Sequence, residues 1–162
     1  MQESRYQAAL GGRDVLSSLA ETPDRLRELI GRMGTADFTR PIAPGKWNAR
    51  QILIHLAQTE MAFGMRVRLA LSAENYVVQP FDQTLLMARE PLVEATAALA
   101  AYYAMRRWNL PLFRSLSRDE LDRPFQHPER GTITIAFILE TLAGHELHHL
   151  SQLEGLVAGA RA

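Results

Sequence analysis

Apolar residues return at helical spacing in a series of stretches along this 162-residue chain, separated by polar segments rich in proline and glycine. The first stretch is residues 3–20, with Tyr6, Ala9, Leu10, Val15, Leu16 and Leu19 in phase. Gly11 and Gly12 weaken it by about 1 kcal/mol each. Thr22-Pro23 then resembles a helix start, an N-cap followed by proline at the first helical position. It leads into Leu26, Leu29, Ile30 and Met33, with Gly34 as C-terminal cap; these two stretches form separate helices or one kinked helix. Residues 35–47 carry Pro41, Pro44 and Gly45 and predict a surface connection. Asn48 caps a long helix through about Leu71, and residues 72–81 form the next connection.

A further helix is predicted from about Asp82 to Trp108, which Pro91 should kink or divide, with Leu92, Leu99, Tyr102, Tyr103 and Met105 as core. Ser117-Arg-Asp-Glu120 is a capping box for a short helix. Residues 123–131, RPFQHPERG, predict a loop, and no hairpin signal is present. Thr132 to Gly159 predicts one long, buried final helix. Four main helices in a single domain spanning residues 1–162 imply an all-α four-helix bundle, whose helix order the loop lengths leave open.

Hydrophobic residues make up 47% of the chain and charged residues 22%, ordinary values for a globular protein with a real core. The formal net charge of zero argues against a nucleic-acid binder, which needs a basic excess or a basic face. No uncharged apolar run is long enough to span a membrane, and MQESRYQAAL lacks the build of a signal peptide. A cytoplasmic location is therefore expected. The chain has no cysteine, so any metal must rest on nitrogen and oxygen ligands.

The final helix concentrates the candidate chemistry. Thr134, Ile138, Thr141, His145, His149, Gln152 and Leu156 fall on one narrow stripe, so two imidazoles one turn apart face the same way. Histidines at i and i+4 present nitrogens about 6 Å apart, within reach of a single metal ion at about 2.0–2.1 Å per bond. His55 is the histidine on another long amphipathic helix, sharing a face with Gln51, Ile52, Thr59, Ala62 and Arg66. His55, His145 and His149 are therefore the candidate metal ligands, with satisfied core or surface histidines as the alternative. His148 is a neighbour that could support the site or exchange roles with His149.

Thr59, Thr141, His148 and Gln152 are candidate pocket residues. Arg66, about 16 Å along its helix from His55, is too distant to be a ligand. It is placed to meet an anionic group at a pocket mouth, or else is an ordinary solvated or salt-bridged arginine. His127, in the loop before the last helix, is a further pocket candidate, with an ordinary solvent-exposed loop histidine as the alternative. His145-Glu146-Leu147-His148-His149 also matches the H-E-x-x-H pattern of zinc proteases. That chemistry needs a third ligand, commonly downstream, and after His149 the only carboxylate side chain is Glu154.

The segments GKWNARQILIHLAQTE (45–60) and RDELDRPFQHPERGTITIAFILETLAGHELHHLSQL (118–153) resemble the DinB/YfiT-like superfamily of proposed metalloenzymes, in its DinB-like branch. The likeness is strongest in the G-K-W before the second helix, the H-L within it and the G-H-x-x-H-H-x-x-Q on the last. It implies an up-down-down-up four-helix bundle, often dimeric, with zinc or nickel on His55, His145 and His149. It also implies kinship with thiol-dependent transferases and isomerases that use small cytosolic thiols. Relatives often carry an aspartate two residues before the acid of the second helix; here Gln58 precedes Glu60, so no carboxylate role carries over.

The expected function is a metal-dependent enzyme activating water or a low-molecular-weight thiol for attack on a small electrophile. The competing readings are a metal-binding protein without turnover and a helical dimerisation module. No catalytic residue beyond the ligands stands out.

Overall fold

Side-chain caps set most of the helix starts in this computed structural model, which describes residues 6–91 and 93–159. A short α1, Gln7–Leu10, ends at Gly11 and Gly12, both with positive φ. Asp14 then accepts a bond from the Ser17 amide at 2.7 Å and opens α2, Val15–Gly31. A 3₁₀ turn at Thr35–Phe38 leads to α3, Ala49–Ser72, where Asn48 and Gln51 exchange side-chain bonds with each other's amides. Asp82 caps α4, Gln83–Ala88, and α5 follows at Ala95–Ser115. The Ser117–Glu120 capping box opens α6, Arg118–Leu121. Strands β1, Pro124–His127, and β2, Gly131–Thr134, form an antiparallel hairpin before α7, Ile135–Gly159.

The four long helices α2, α3, α5 and α7 form the bundle. Each packs against two others: α2 against α5 and α7, α3 against α5 and α7. Side-chain pairs fix the directions. Arg50 reaches the Val93 carbonyl, Arg106 reaches Glu60 and Arg68 reaches Asn109, so α3 and α5 run parallel. Arg106 joins Leu19 on α2 to Glu146 on α7, and Arg25 pairs with Glu154 further along both helices, so α2 and α7 are parallel too. Arg27 lies over Tyr103 while Leu19 meets Arg106, which makes α2 antiparallel to α5. The result is up-down-down-up. Consecutive parallel helices need a long return, and residues 73–94 supply it.

Leu19, Leu26, Ile52, Leu53, Leu56, Tyr102, Phe113, Leu142 and Leu150 are among the fully buried side chains at the centre. Where α3 packs on α5, Gly64 faces the Asn109 amide, which a Cβ would overlap.

Several expectations need correction. Residues 6–20 are not one helix, because the two glycines take left-handed conformations; residues 3–5 lie outside the described residues. Thr22-Pro23 does not start a helix either. α2 continues through it, with the Thr22 hydroxyl donating to the Ser18 carbonyl at 2.8 Å. The stretch from Asp82 to Trp108 is divided at Pro91, as expected, into two helices. The second runs past Trp108 and through Pro111 to Ser115. Leu92 lies outside the described residues.

Residues 123–131 are largely a hairpin and not a loop. The chain turns at 128–130, and Gly131 takes a φ of 70° opposite His127, the arrangement of a three-residue hairpin connection. The last helix consequently begins at Ile135, with Thr134 accepting the Phe137 amide at 3.2 Å. The segment around Val77 pairs with Gln126, which pins the long return onto the hairpin. No helix among the described residues is long and apolar enough to cross a membrane.

Candidate metal centre

The antiparallel contact of α3 with α7 brings His55 against His145 and His149, all three buried. His55 Nε2 lies 2.8 Å from His145 Nε2, and His149 Nε2 lies 3.1 Å from the same atom. The ligand atoms of the three residues fall within 4.8 Å of one another. Nitrogens sharing one ion at about 2.0–2.1 Å would sit roughly 2.9–3.4 Å apart, from right-angled to tetrahedral geometry. The 2.8 and 3.1 Å spacings about His145 lie at that range, while the 4.8 Å span of the three together is wider. Neutral imidazoles facing each other through ring nitrogens repel unless a proton or cation lies between them, so the donor set fits a bound cation.

Neighbouring groups set the ring orientations. The His149 Nδ1–H donates to Gln152 Oε1 at 2.8 Å, a tautomer assigned from its partner, and this leaves Nε2 bare toward the cluster. The Gln152 amide in turn meets His148 Nε2 at 3.1 Å; His148 itself is exposed. Thr59 Oγ1 donates to the His55 carbonyl at 2.8 Å. Trp47 packs against the His55 ring at 4.9 Å, and Tyr6 meets the His145 ring edge-on at 5.0 Å. Tyr6 comes this close because Gly144 has no Cβ, which would overlap the Tyr6 carbonyl.

Two cavities adjoin the cluster. The larger, about 560 Å³, reaches His55 and His145 and is lined by three of the predicted residues, Thr59, Arg66 and Thr141, as well as by His127. The other, about 480 Å³, is lined by His148, His149 and Gln152 together with Lys46 and Trp47. Tyr6, Gln83 and Thr84 border both. Thr141 Oγ1 is buried and has no hydrogen-bond partner among the described residues. His127 is buried on β1 and not solvent-exposed. Its Nδ1 accepts the Glu129 amide at 3.2 Å, and burial, reinforced by the charges of Arg66 and Arg130, lowers its pKa.

Reasoning from the sequence alone missed Trp47, Tyr6 and Arg130. Trp47 precedes the Asn48 cap and so stands about two turns before His55. That spacing was available as a signal; for Tyr6 and Arg130 none was.

Behind the histidines lies a buried charge network. Arg106 on α5 pairs with both carboxylates of facing helices, Glu60 Oε2 at 2.5 Å and Glu146 Oε1, and donates to the Leu19 carbonyl at 2.6 Å. Asn109 adds a bond to Glu60 Oε1 at 2.8 Å and receives one from Arg68 at 2.6 Å. Burial pushes the Glu146 carboxyl up to about 7, against the pull of Arg106 and with help from the Glu60 charge. Both oxygens of Glu146 are bound to Arg106. The glutamate of the H-E-x-x-H spacing is thus a buried ion-pair partner.

The sequence matches the DinB superfamily over residues 18–153. It is 28% identical over 145 residues to a proposed metal-dependent hydrolase of Oceanobacillus iheyensis, covering 87% of this chain and 83% of that protein. It is 27% identical over 142 residues to YfiT of Bacillus subtilis, for which the same activity is proposed, covering 85% and 79%. The solved structure of YfiT, described as having an unusual four-helix bundle topology, superposes with a TM-score of 0.84 at 24% identity. It covers 91% of this chain and 86% of that one, and the likeness shows the fold. The chain therefore belongs to the DinB superfamily.

Proposed function

We propose that this protein is a metal-dependent enzyme acting on a small electrophile, a hydrolase or a thiol S-transferase, with His55, His145 and His149 holding one divalent ion, zinc or nickel. The observation that carries the reading is the convergence of three buried imidazole nitrogens beside a cavity large enough for a small molecule. When bound, such an ion supplies a Lewis acid that lowers the pKa of a water or thiol and polarises the acceptor.

The chain's own residues shape what happens around it. Three neutral ligands would leave a divalent ion's double charge intact, and a closed structural site would normally add a fourth protein ligand. Gln152 orients His149, and Thr59 ties its hydroxyl to the main chain of His55. Thr141 offers an uncommitted hydroxyl to a molecule in the cavity. Trp47 and Tyr6 cover the histidine rings against water. With no cysteine in the chain, the nucleophile comes from solvent or from a small cytosolic thiol. Peptide cleavage is disfavoured because Glu146, its general base, is spent on Arg106.

The protein would work in the cytoplasm as a homodimer, for which Met61, Met65 and Leu69 offer an exposed apolar strip along α3. The test is a panel of cytosolic thiols with epoxide, haloarene and maleyl-type acceptors, beside simple esters and amides and a casein control, on metal-loaded protein and on His145→Ala. Thiol transfer or small-molecule hydrolysis lost in the variant supports the enzyme. Casein cleavage lost with Glu146→Gln would replace it with a protease, and silence throughout would favour metal binding without turnover.

A further inference from the structure

We infer that the larger cavity takes a small molecule bearing a carboxylate, its reactive part at the His55–His145 end and its carboxylate held by Arg66, with Arg130 assisting. The reactive end rests on the proposed function; the carboxylate end stands on its own observations.

Arg66 lies three turns beyond His55 on the same face of α3, and both line this cavity. Their backbones are about 16 Å apart, and a helical side chain leans toward the N-terminus, which carries the guanidinium back toward the histidines. Arg66 is half-buried, and desolvation pulls its pKa below the ordinary arginine value. Its Nη2 donates to the Gln79 carbonyl at 3.2 Å, and the rings of Phe63 and Phe81 stand 5.1 and 5.4 Å from it. These contacts hold the group in place. They do not cancel its charge.

Among the described residues no carboxylate comes within 4.0 Å of Arg66 or Arg130. Two acids do line the cavity, Asp82 and Glu129. Asp82 is committed to the start of α4, accepting the Thr84 and Leu85 amides at 2.7 and 2.9 Å. Glu129 sits exposed at the hairpin turn. Arg66 and Arg130, from different elements, line the cavity beside His127, and their charges lower its pKa against the opposing charge of Glu129.

A partly desolvated cation without a counter-charge is costly unless an anion joins it. A planar carboxylate suits the guanidinium fork. With Nη2 partly engaged and two phenyl rings beside it, the remaining donors match that planar group better than a tetrahedral phosphate.

The probes are three hydroxamates, a head group that grips a divalent ion, with a pentyl tail ending in carboxylate, carboxamide or phosphonate. Calorimetry on zinc-loaded protein should show the carboxylate tail binding at least about tenfold tighter than the carboxamide. Arg66→Met should reduce that preference to under about twofold with metal content unchanged, and Arg66→Lys should keep part of it. Equal binding of the two tails, or a preference that survives Arg66→Met, overturns the inference, and a phosphonate tail that binds tightest overturns the choice of carboxylate. If the protein takes up no ion, the proposed function fails by itself. Adipate against adipamide then reads the same site, with the same loss expected in Arg66→Met and its absence equally decisive.

Discussion

Arg106 Nη1 donates at 2.6 Å to the carbonyl of Leu19, the group that Pro23, four residues on, leaves without a helical amide. A proline inside a helix normally costs about 3 kcal/mol against alanine, in part through that orphaned acceptor. Here a guanidinium from another helix fills the vacancy. Pro23→Ala should therefore stabilise the protein by less than about 1 kcal/mol in chemical denaturation. A gain near the full 3 kcal/mol would mean that the Arg106 bond does not compensate for the proline.

The same arginine pairs with two buried carboxylates. Arg106→Met strands Glu60 and Glu146 in the bundle core and should cost about 3–5 kcal/mol, enough to threaten folding. Adding Glu60→Gln and Glu146→Gln to that variant should recover most of the loss, since the uncompensated charges go with it. Recovery of nothing in the triple variant would show that Arg106 acts through packing alone.

One arginine cannot cancel two buried negative charges, and burial with the Glu60 charge accordingly raises the Glu146 pKa to about 7. A native pKa of about 7 against an ordinary 4.5 means that the folded state binds more protons between those values. The stability from Glu146 is full below 4.5 and is lost as pH rises through about 7. Melting in the presence of a chelator should show that decline in the wild type and a shallower one in Glu146→Gln. Superimposed profiles would show that Glu146 does not titrate in this range.

Much of this architecture was legible because helix periodicity and capping are local. The Asn48 cap, the Ser117 capping box and the stripe holding His145 and His149 follow from residues within a turn or two of one another. The meeting of His55 with that stripe was legible through the shared logic of bundle cores. Pro23 misled because its local signal is a helix start, while a distant Arg106 let α2 pass through it. The hairpin was missed although Gly131, with Phe125, His127 and Ile133 alternating inward, carried its signature. The buried charge network had no signature at all: Glu60, Arg106 and Glu146 are surface-type residues until the fold places them together.

Gln152 should matter to metal affinity out of proportion to stability. Removing the acceptor of the His149 Nδ1–H frees that ring to turn, so Gln152→Ala should weaken zinc binding by about 10–100-fold. The half-exposed position should keep the stability change within about 1 kcal/mol. Unchanged zinc affinity would show that packing alone holds the ring.

Metal content of the wild type and of the single variants His55→Ala, His145→Ala, His149→Ala and His148→Ala tests the central claim most directly. Elemental analysis with calorimetry for zinc and nickel should find about one ion per chain in the wild type and in His148→Ala, and none tightly held in the other three. A wild type that takes up neither ion would contradict the account. So would a protein that keeps its metal without His149 and loses it without His148.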